Sequence, residues 1–193
     1  MDIRNIARQT LNVANSVFIR LGYAIHVRRF TIEDMAWCIH LSRSQPEERQ
    51  LPWDTSGAAL TDANAFNFSF SLIDAENKPA AACFTRFCPP DGPPPAMLNI
   101  DMVQNFHLRD SVLDGNTFSF VLLVATLFMA ETDCSGLRLI SPINEQVASY
   151  YIDQHGFKDI SGNKLILYRE ADALFRWLQQ GTDKYCDWLK NEQ

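Results

Sequence analysis

The chain lacks three features that would each point to a particular class of protein. Its longest apolar run, residues 118–130 (FSFVLLVATLFMA), is shorter than the ~20 residues that a membrane-spanning helix needs. Basic residues are not in excess, because 17 Lys and Arg stand against 23 Asp and Glu, so nucleic-acid binding is disfavoured. Residues 1–23 have no apolar stretch followed by a small-residue cleavage site, which argues against a signal peptide.

Paired metal or disulfide motifs are also missing. The five cysteines are odd in number, irregularly spaced and without a CxxC pair, and the four histidines show no metal-ligand spacing. We therefore expect no metal site and a reducing, cytoplasmic setting. Cys38 and Cys134 could act as nucleophiles, but the sequence favours reading them as small buried residues.

The patterns that are present predict a chain of alternating helices and strands. Apolar spacing predicts a helix over 3–19 and a strand over 24–28. Thr31 and Asp34 form a capping-box pattern for a helix that runs to about Ser44. Residues 45–64, which include Trp53, read as a loop with one short helix.

The middle of the chain predicts a β-hairpin followed by strands and helices in turn. Residues 66–73 alternate as a half-buried strand, 74–78 form a turn, and 80–87 return. A strand at 97–103, a loop at 104–115 and a buried helix at about 116–132 follow. The chain then predicts a strand at 137–140, a helix at about 144–154, a strand at 164–169, and one or two C-terminal helices broken near Gly181.

This order predicts an α/β (α+β) fold. We expect a mixed, mostly antiparallel central sheet of six to seven strands, with helices on both faces. The length and the 47% hydrophobic content suit a single domain over 1–193, with residues 1–22 and 171–193 as helical appendages.

Residues 137–168 (LRLISPINEQVASYYIDQHGFKDISGNKLILY) carry the most specific pattern, a strand, a helix ending at His-Gly-Phe, and another strand. Ala148 lies eight residues before Gly156, and residues 25–35 give an opening strand with a capped first helix. Over residues 24–170 the chain resembles the GNAT superfamily of acyl-CoA N-acyltransferases. The alternative is an unrelated α/β domain in which Gly156 only caps a helix.

The resemblance implies an acyl-CoA donor, with acetyl-CoA as the leading choice. In that family the pantetheine lies against the fourth strand, here residues 100–103, where the fourth and fifth strands splay apart. The pyrophosphate lies on backbone amides at the start of the next helix, where the helix dipole favours an anion. By resemblance the cofactor-binding residues are Met102, Val103, Asp114, Gly115, Asn116, Thr117, Phe118 and Asn144.

The chain departs from the family pattern at two points. The family's Gln/Arg-x-x-Gly-x-Gly/Ala loop retains a single glycine, Gly115, so an alternative anion site would use Arg109 and His107. The family's catalytic tyrosine position holds Ile152, and Tyr151 is displaced by one residue.

The candidate general acid is therefore Tyr151. The candidate base is Asp101, which we expect on the strand face opposite Leu98, Ile100 and Met102. The weaker alternatives for the base are Glu33, Asp34, Glu47 and Glu48.

Three functions remain open from the sequence. The first is transfer of an acetyl or other acyl group to a small-molecule or protein amine. The second is a catalytically inactive binding or assembly module, whose extra terminal helices could build a homodimer. The third is a transferase that uses a fatty-acyl or acyl-carrier-protein donor. None of the three implies a nucleic acid or a membrane as partner.

Overall fold

A computed structural model describes residues 2–55, 65–89, 95–106, 112–113 and 115–191, without the side chains of Thr55 and 182–191. Its helices are α1 (Ile3–Arg20), α2 (Ile32–Arg43), α3 (Thr117–Glu131), α4 (Glu145–His155) and α5 (Ala171–Asn191). Its strands are β1 (His26–Arg29), β2 (Phe66–Asn67), β3 (Phe70–Ile73), β4 (Pro79–Cys88), β5 (Met97–Asn105), β6 (Gly136–Ile140), β7 (Lys158–Asp159) and β8 (Ile166–Glu170).

The strands form one mixed sheet in the order β1-β3-β4-β5-β6-β8-β7, with β2 paired to β4. In the described part of the chain, the β5–β6 pair is parallel and the other pairs are antiparallel. The predicted fold class is confirmed.

Helices cover both faces of the sheet, each with its own apolar core. We call one face the α3 face, because the buried side chains of α1, α3, α4 and α5 pack there. The other is the α2 face, where Cys38 of α2 joins Trp53, Ala82, Phe84 and Met102. Helix α3 explains the long apolar run of the sequence, since 11 of its 15 residues are buried. No helix in the described ranges is long and apolar enough to cross a membrane.

Side-chain hydrogen bonds attach helices α1 and α2 to the sheet. Asn15 of α1 hydrogen-bonds both the N–H and the C=O of Val27, which satisfies the free edge of β1. The predicted capping box of α2 is present, and Asp34 also accepts hydrogen bonds from Arg28 and Ser71. Burial raises the pKa of Asp34, but these hydrogen bonds outweigh it and leave the pKa below its ordinary value.

Three expected details are wrong. The 66–73 segment is interrupted at Phe68 and Ser69, and β3 is buried on both faces because α2 covers the side that was expected to face solvent. A short strand, β7, pairs with β8. Helix α5 continues through Gly181. A glycine destabilises a helix by only about 1 kcal/mol, which the helical turns on either side can offset.

Candidate functional site

Strands β5 and β6 part in the middle of the sheet. Their parallel pairing starts at Met97–Gly136 and ends at Ile100–Leu139, whereas β5 stays paired with β4 as far as Asn105. Beyond Ile100, the edge of β5 that faces β6 therefore has no strand partner within the described ranges. This opening is the V between the fourth and fifth main strands that the sequence predicts.

Two local irregularities produce the opening. Asp101 is an extra residue in β5, because Met102 pairs with Phe84 while Ile100 already pairs with Thr85. Such a bulge bends the strand that carries it. On the other side Ser141 follows β6 with φ 49°, a left-handed conformation unusual for serine, and its N–H donates to Leu165 of the β8 side at 2.7 Å. The two strands are thus turned away from each other.

A cleft of about 380 Å³ occupies the opening. We call it the β5–β6 cleft. It is lined by the open part of β5, the end of β6, the first turns of α4 and the segment after α2. The lining residues are Gln45, Arg49, Leu51, 100–105, 139–144, Gln146, Val147 and Tyr151. The predicted residues Asp101, Met102, Val103, Asn144 and Tyr151 all belong to this lining.

The bulge changes which way Met102 points. Ile100 and Val103 pack on the α3 face, while Met102 packs with Phe84 on the α2 face. The sequence expectation that Met102 shares a face with Leu98 and Ile100 is wrong, because regular alternation stops at the extra residue. Asp101 remains opposite Ile100, as expected.

Asp101 is paired with a residue that the sequence analysis did not select. Both carboxylate oxygens accept hydrogen bonds from Arg86, at 2.6 Å from Nε and 2.8 Å from Nη2. The side chains are largely buried, with 15% of Asp101 and 24% of Arg86 exposed. A bidentate guanidinium occupies carboxylate lone pairs that a general base would use.

Tyr151 lies at the inner end of the cleft, on the α3 face. Its ring packs 4.5 Å from that of Phe118 and 6.4 Å from that of Phe157, between centroids. Burial raises the pKa of its phenol, and the nearby Cys83 and Tyr150 add to the effect. Tyr151 therefore remains protonated, and none of the described groups hydrogen-bonds its hydroxyl. A proton on this oxygen is available to a bound molecule.

The start of α3 lies beside this tyrosine but outside the cleft lining. Gly115 adopts φ 71° and precedes the N-cap Asn116, and Thr117 turns its hydroxyl back to the C=O of Leu113. Within the described residues, the N–H groups of Thr117 and Phe118 donate to no protein acceptor. Asp114, Arg109 and His107 lie outside the described residues.

Aromatic side chains connect the start of α3 to the end of α4. The His155 ring lies 4.8 Å from that of Phe118, and its Nε2 is 2.9 Å from the Tyr150 hydroxyl. Burial lowers the pKa of His155, and the neighbouring Arg169 lowers it further. This end of the site therefore holds a neutral imidazole and the guanidinium of Arg169.

Helix α4 is capped at both ends, by Gly156, which the sequence identifies as a possible cap, and by Asn144, whose capping role was not predicted. Asn144 is the N-cap, and its side-chain oxygen accepts from the N–H of Val147 at 2.9 Å. Gly156 ends the helix with φ 67°, the left-handed conformation that glycine adopts without strain. These caps fix the helix so that Tyr151, and not Ile152, lines the cleft.

The alternative candidates lie away from the cleft or are chemically inactive. Glu33, Glu47 and Glu48 are exposed and outside its lining, and Asp34 is used as a cap. Burial raises the pKa of Cys38 to about 12 and that of Cys134 to about 11, so neither thiol is a nucleophile at neutral pH. Among the described residues there is no cluster of His, Cys, Asp and Glu that could hold a metal ion.

Trp53 packs rather than covering the cleft directly. It is 1% exposed, stacks on Phe30 with 5.7 Å between ring centroids, and donates from Nε1 to Gln104 Oε1 at 3.1 Å. Because Gln104 lines the cleft, this contact ties the segment after α2 to the open part of β5.

Comparison with known proteins supports the same reading of the fold. Neither protein-family models nor curated protein sequences match the chain. Among solved structures, AtaTR with bound acetyl-CoA is similar with a TM-score of 0.53 at 12% identity, over 80% of this chain and 98% of that chain. A spermidine N-acetyltransferase SpeG variant from Vibrio cholerae gives 0.50 at 9% identity, over 78% and 96%.

The chain has the GNAT acetyltransferase fold. A further similar structure is an AtaT toxin variant bound to the C-terminus of the antitoxin AtaR and acetyl-CoA, with a TM-score of 0.51 at 8% identity, over 80% of this chain and 98% of that chain. The predicted resemblance is thus confirmed for the fold.

Within this GNAT fold, three charged residues near the opening escaped the sequence analysis. Arg86 binds Asp101, Arg49 lines the cleft, and Arg138 lies on β6 beside the point where the strands part. The Arg86–Asp101 pair depends on the β4–β5 register, which shifts at the bulge and which no local pattern sets. Arg49 and Arg138 depend on how distant segments fold together, and no local pattern marks them.

Proposed function

We propose that the protein transfers an acyl group, with acetyl as the working case, from acyl-CoA to a primary amine. The observation that carries the proposal is the β5–β6 cleft with the protonated hydroxyl of Tyr151 at its inner end. Acetyl-CoA bound in the AtaTR structure supports the choice of donor, and spermidine acetylation by SpeG supports an amine acceptor.

The residues present fit such a donor in two places. The open edge of β5 at Met102 and Val103 offers backbone groups to the amides of a pantetheine arm, much as a missing strand would. The N–H groups of Thr117 and Phe118 donate to no acceptor among the described residues and, with Gly115 and Asn116 before them, suit a pyrophosphate at the start of α3. When bound, the donor would supply an activated thioester, and Asn144 at the N-cap of α4 would line its path.

The side chains of the cleft have separate tasks in this scheme. Tyr151 Oη holds the proton that a departing thiolate needs, since burial keeps it protonated. Asp101 and Arg86 together form a rigid neutral pair at the bulge, which orients the acceptor side of the cleft. Asp101 can take the proton of the ammonium group only if its hydrogen bonds with Arg86 break. Otherwise water in the open cleft takes this proton.

The first experiment measures donor binding and turnover separately. Acetyl-CoA at millimolar concentration is expected to raise the melting temperature, because a ligand that prefers the folded state must stabilise it. Thiol release from acetyl-CoA with a panel of primary amines then measures transfer. Desulfo-CoA with the same amines provides the blank for nonspecific thiol signal. No thermal shift with CoA, acetyl-CoA or a longer acyl-CoA would overturn the proposal.

The occupied lone pairs of Asp101 favour a second candidate function, an acyl-CoA-binding module without transfer. It predicts the thermal shift but no thiol release with any amine. Thiol release that depends on Tyr151 would exclude it. Replacing Tyr151 with Phe, against Tyr150→Phe as the matched control, makes that distinction.

A further inference from the structure

A row of polar side chains crosses the α2 face beside the cleft. Arg86 is paired with Asn99, Asn99 with Arg138, and Arg138 with Tyr168, on four neighbouring strands. Directly paired residues project to the same face of a sheet, so these four side chains, the polar row, lie side by side. The Asn99–Arg138 pair is followed by Ile100–Leu139, the last pair before β5 and β6 part.

Two atoms of this row are buried without a partner. Asn99 is 8% exposed, and its Oδ1 accepts no hydrogen bond. Arg138 Nε, from the paired residue, is buried and donates none. Buried polar atoms are nearly always paired in folded proteins, because an unpaired one loses its water and gains nothing in return. An acceptor and a donor left open on adjacent residues point to a ligand that supplies both counterparts.

The local charge indicates what kind of ligand this is. Asp101 is the one carboxylate in the described cleft lining, and Arg86 neutralises it. Arg138 and the cleft residue Arg49 have no ion-pair partner in the described part of the chain. The net charge of −6 would attract cations to the protein as a whole. Within a binding site the nearby charges dominate, because salt screens charges that are more than about 10 Å away.

We propose that Asn99 and Arg138 form the acceptor subsite and select an amine with a carboxylate or carbonyl oxygen on the neighbouring carbon, the α-amino acid class. The amine N–H groups donate to Asn99 Oδ1, and the oxygen accepts from Arg138. A polyamine has donors and positive charge only, so it leaves Arg138 unpaired and is repelled by it.

This assignment rests on the proposed function for its chemistry. Transfer forms the N–C bond of an amide and breaks the C–S bond of the thioester. The ammonium group loses two protons. One proton is balanced by protonation of the CoA thiolate, and the other is released to solvent. Asn99 and Arg138 lie on the α2 face, one residue before the cleft lining begins, while Tyr151 packs on the α3 face, so the proposed subsite and the candidate acid lie on opposite sides of the sheet.

The test compares amines that differ only in the carboxyl group. Leucine, leucinamide and isopentylamine share a side chain, and the same triplets can be made for alanine and phenylalanine. We expect the amino acid or its amide to exceed the plain amine and spermidine at least tenfold in kcat/KM. A preference for leucinamide over leucine would indicate a carbonyl, as in a peptide amino terminus, and the reverse would indicate a free amino acid.

Arg138→Met is the decisive variant, with Arg176→Met on the exposed face of α5 as the matched control. Because Arg138 Nε has no partner, we expect an unchanged melting temperature, an unchanged shift with acetyl-CoA, and loss of the tenfold preference. If Arg138→Met does not fold, Arg138→Lys and Asn99→Asp are compared instead. The proposal is overturned if spermidine or the plain amines are preferred, or if the preference survives in the variant.

Calorimetry without any acyl donor separates this proposal from the proposed function. Leucine and leucinamide are titrated into the wild type and into Arg138→Met. Binding that the variant loses supports the subsite even if no thiol is ever released. Absence of binding for all the triplets, in a protein that still binds acetyl-CoA, overturns the subsite and leaves the acyltransferase proposal standing.

Discussion

The two halves of β5 differ in their surroundings. Residues 97–100 are buried and paired on both sides, as in the centre of any sheet. Residues 102–105 are paired with β4 but not with β6. One extra residue, Asp101, separates a strand segment that is paired on both sides from one that is paired on one side only. The halves are therefore expected to respond differently to mutation.

The largest expected effect is on stability, in the paired half. Leu98 is fully buried, so Leu98→Ala should lower the free energy of unfolding by about 3 kcal/mol through lost burial and a cavity. Val103 in the open half is only partly buried, and Val103→Ala should cost about 1 kcal/mol. Urea denaturation measures both. Equal losses at the two sites would mean that the halves are packed alike.

The next effect is on catalysis, in the open half. Tyr151→Phe should lower kcat about 100-fold, the lower range for a lost general acid, and leave the melting temperature unchanged. Because the pKa of Tyr151 is raised, the wild-type rate should show no loss of this acid below about pH 10, the ordinary tyrosine value. Tyr150→Phe, which keeps the cleft hydroxyl, should retain activity. A similar loss in both variants would remove Tyr151 from its assigned role.

The bulge between the halves should be stabilised by the Asp101–Arg86 pair. Asp101→Leu alone takes the carboxylate away from the largely buried Arg86 guanidinium, and we expect the free energy of unfolding to fall by about 2 kcal/mol. Adding Arg86→Met should restore much of it, which gives a coupling energy of about 1–2 kcal/mol in a double-mutant cycle. Additive losses would show that the pair is not what holds the bulge.

Features of the fold and of the site that depend on neighbouring residues could be predicted from the sequence, whereas those that depend on strand register could not. The capping box at Thr31, the end of α4 at Gly156 and the buried helix α3 depend on residues close in the chain, and each was predicted. The direction of Met102 and the pairing of Asp101 depend on one unpaired residue in a ladder. Alternation along a strand carries no signal of such a bulge.

The same reasoning applies to the candidate tyrosine. Counting back from Gly156 gives Ile152, while the structure puts Tyr151 into the cleft, because the facing residue depends on how the whole helix packs. Asn99 and Arg138 are 39 positions apart and meet only through the parallel β5–β6 register. That these two residues are neighbours in the sheet could not be inferred from their separation in the sequence.

The smallest expected effect concerns the far end of the site, next to the start of α3. His155 has a folded-state pKa below its ordinary value, so the unfolded chain binds its proton more readily. Its contribution to stability is therefore present above about pH 6.5 and is lost as the pH falls toward the folded-state pKa. Chemical denaturation at pH 7.5 and pH 5.5 measures it. His155→Gln should flatten this part of the profile, and an unchanged slope would assign it to other groups.

The hydrogen bond from Trp53 to Gln104 gives the molecule an optical reporter. Trp53 is one of four tryptophans and is 1% exposed, whereas Trp37 is 54% exposed, so the two differ in emission wavelength and in access to a soluble quencher. The indole N–H of Trp53 is bonded to a carboxamide that lines the cleft. A ligand that moves Gln104 changes the electric field at the ring, so occupancy of the cleft can be followed in the intrinsic fluorescence without any label.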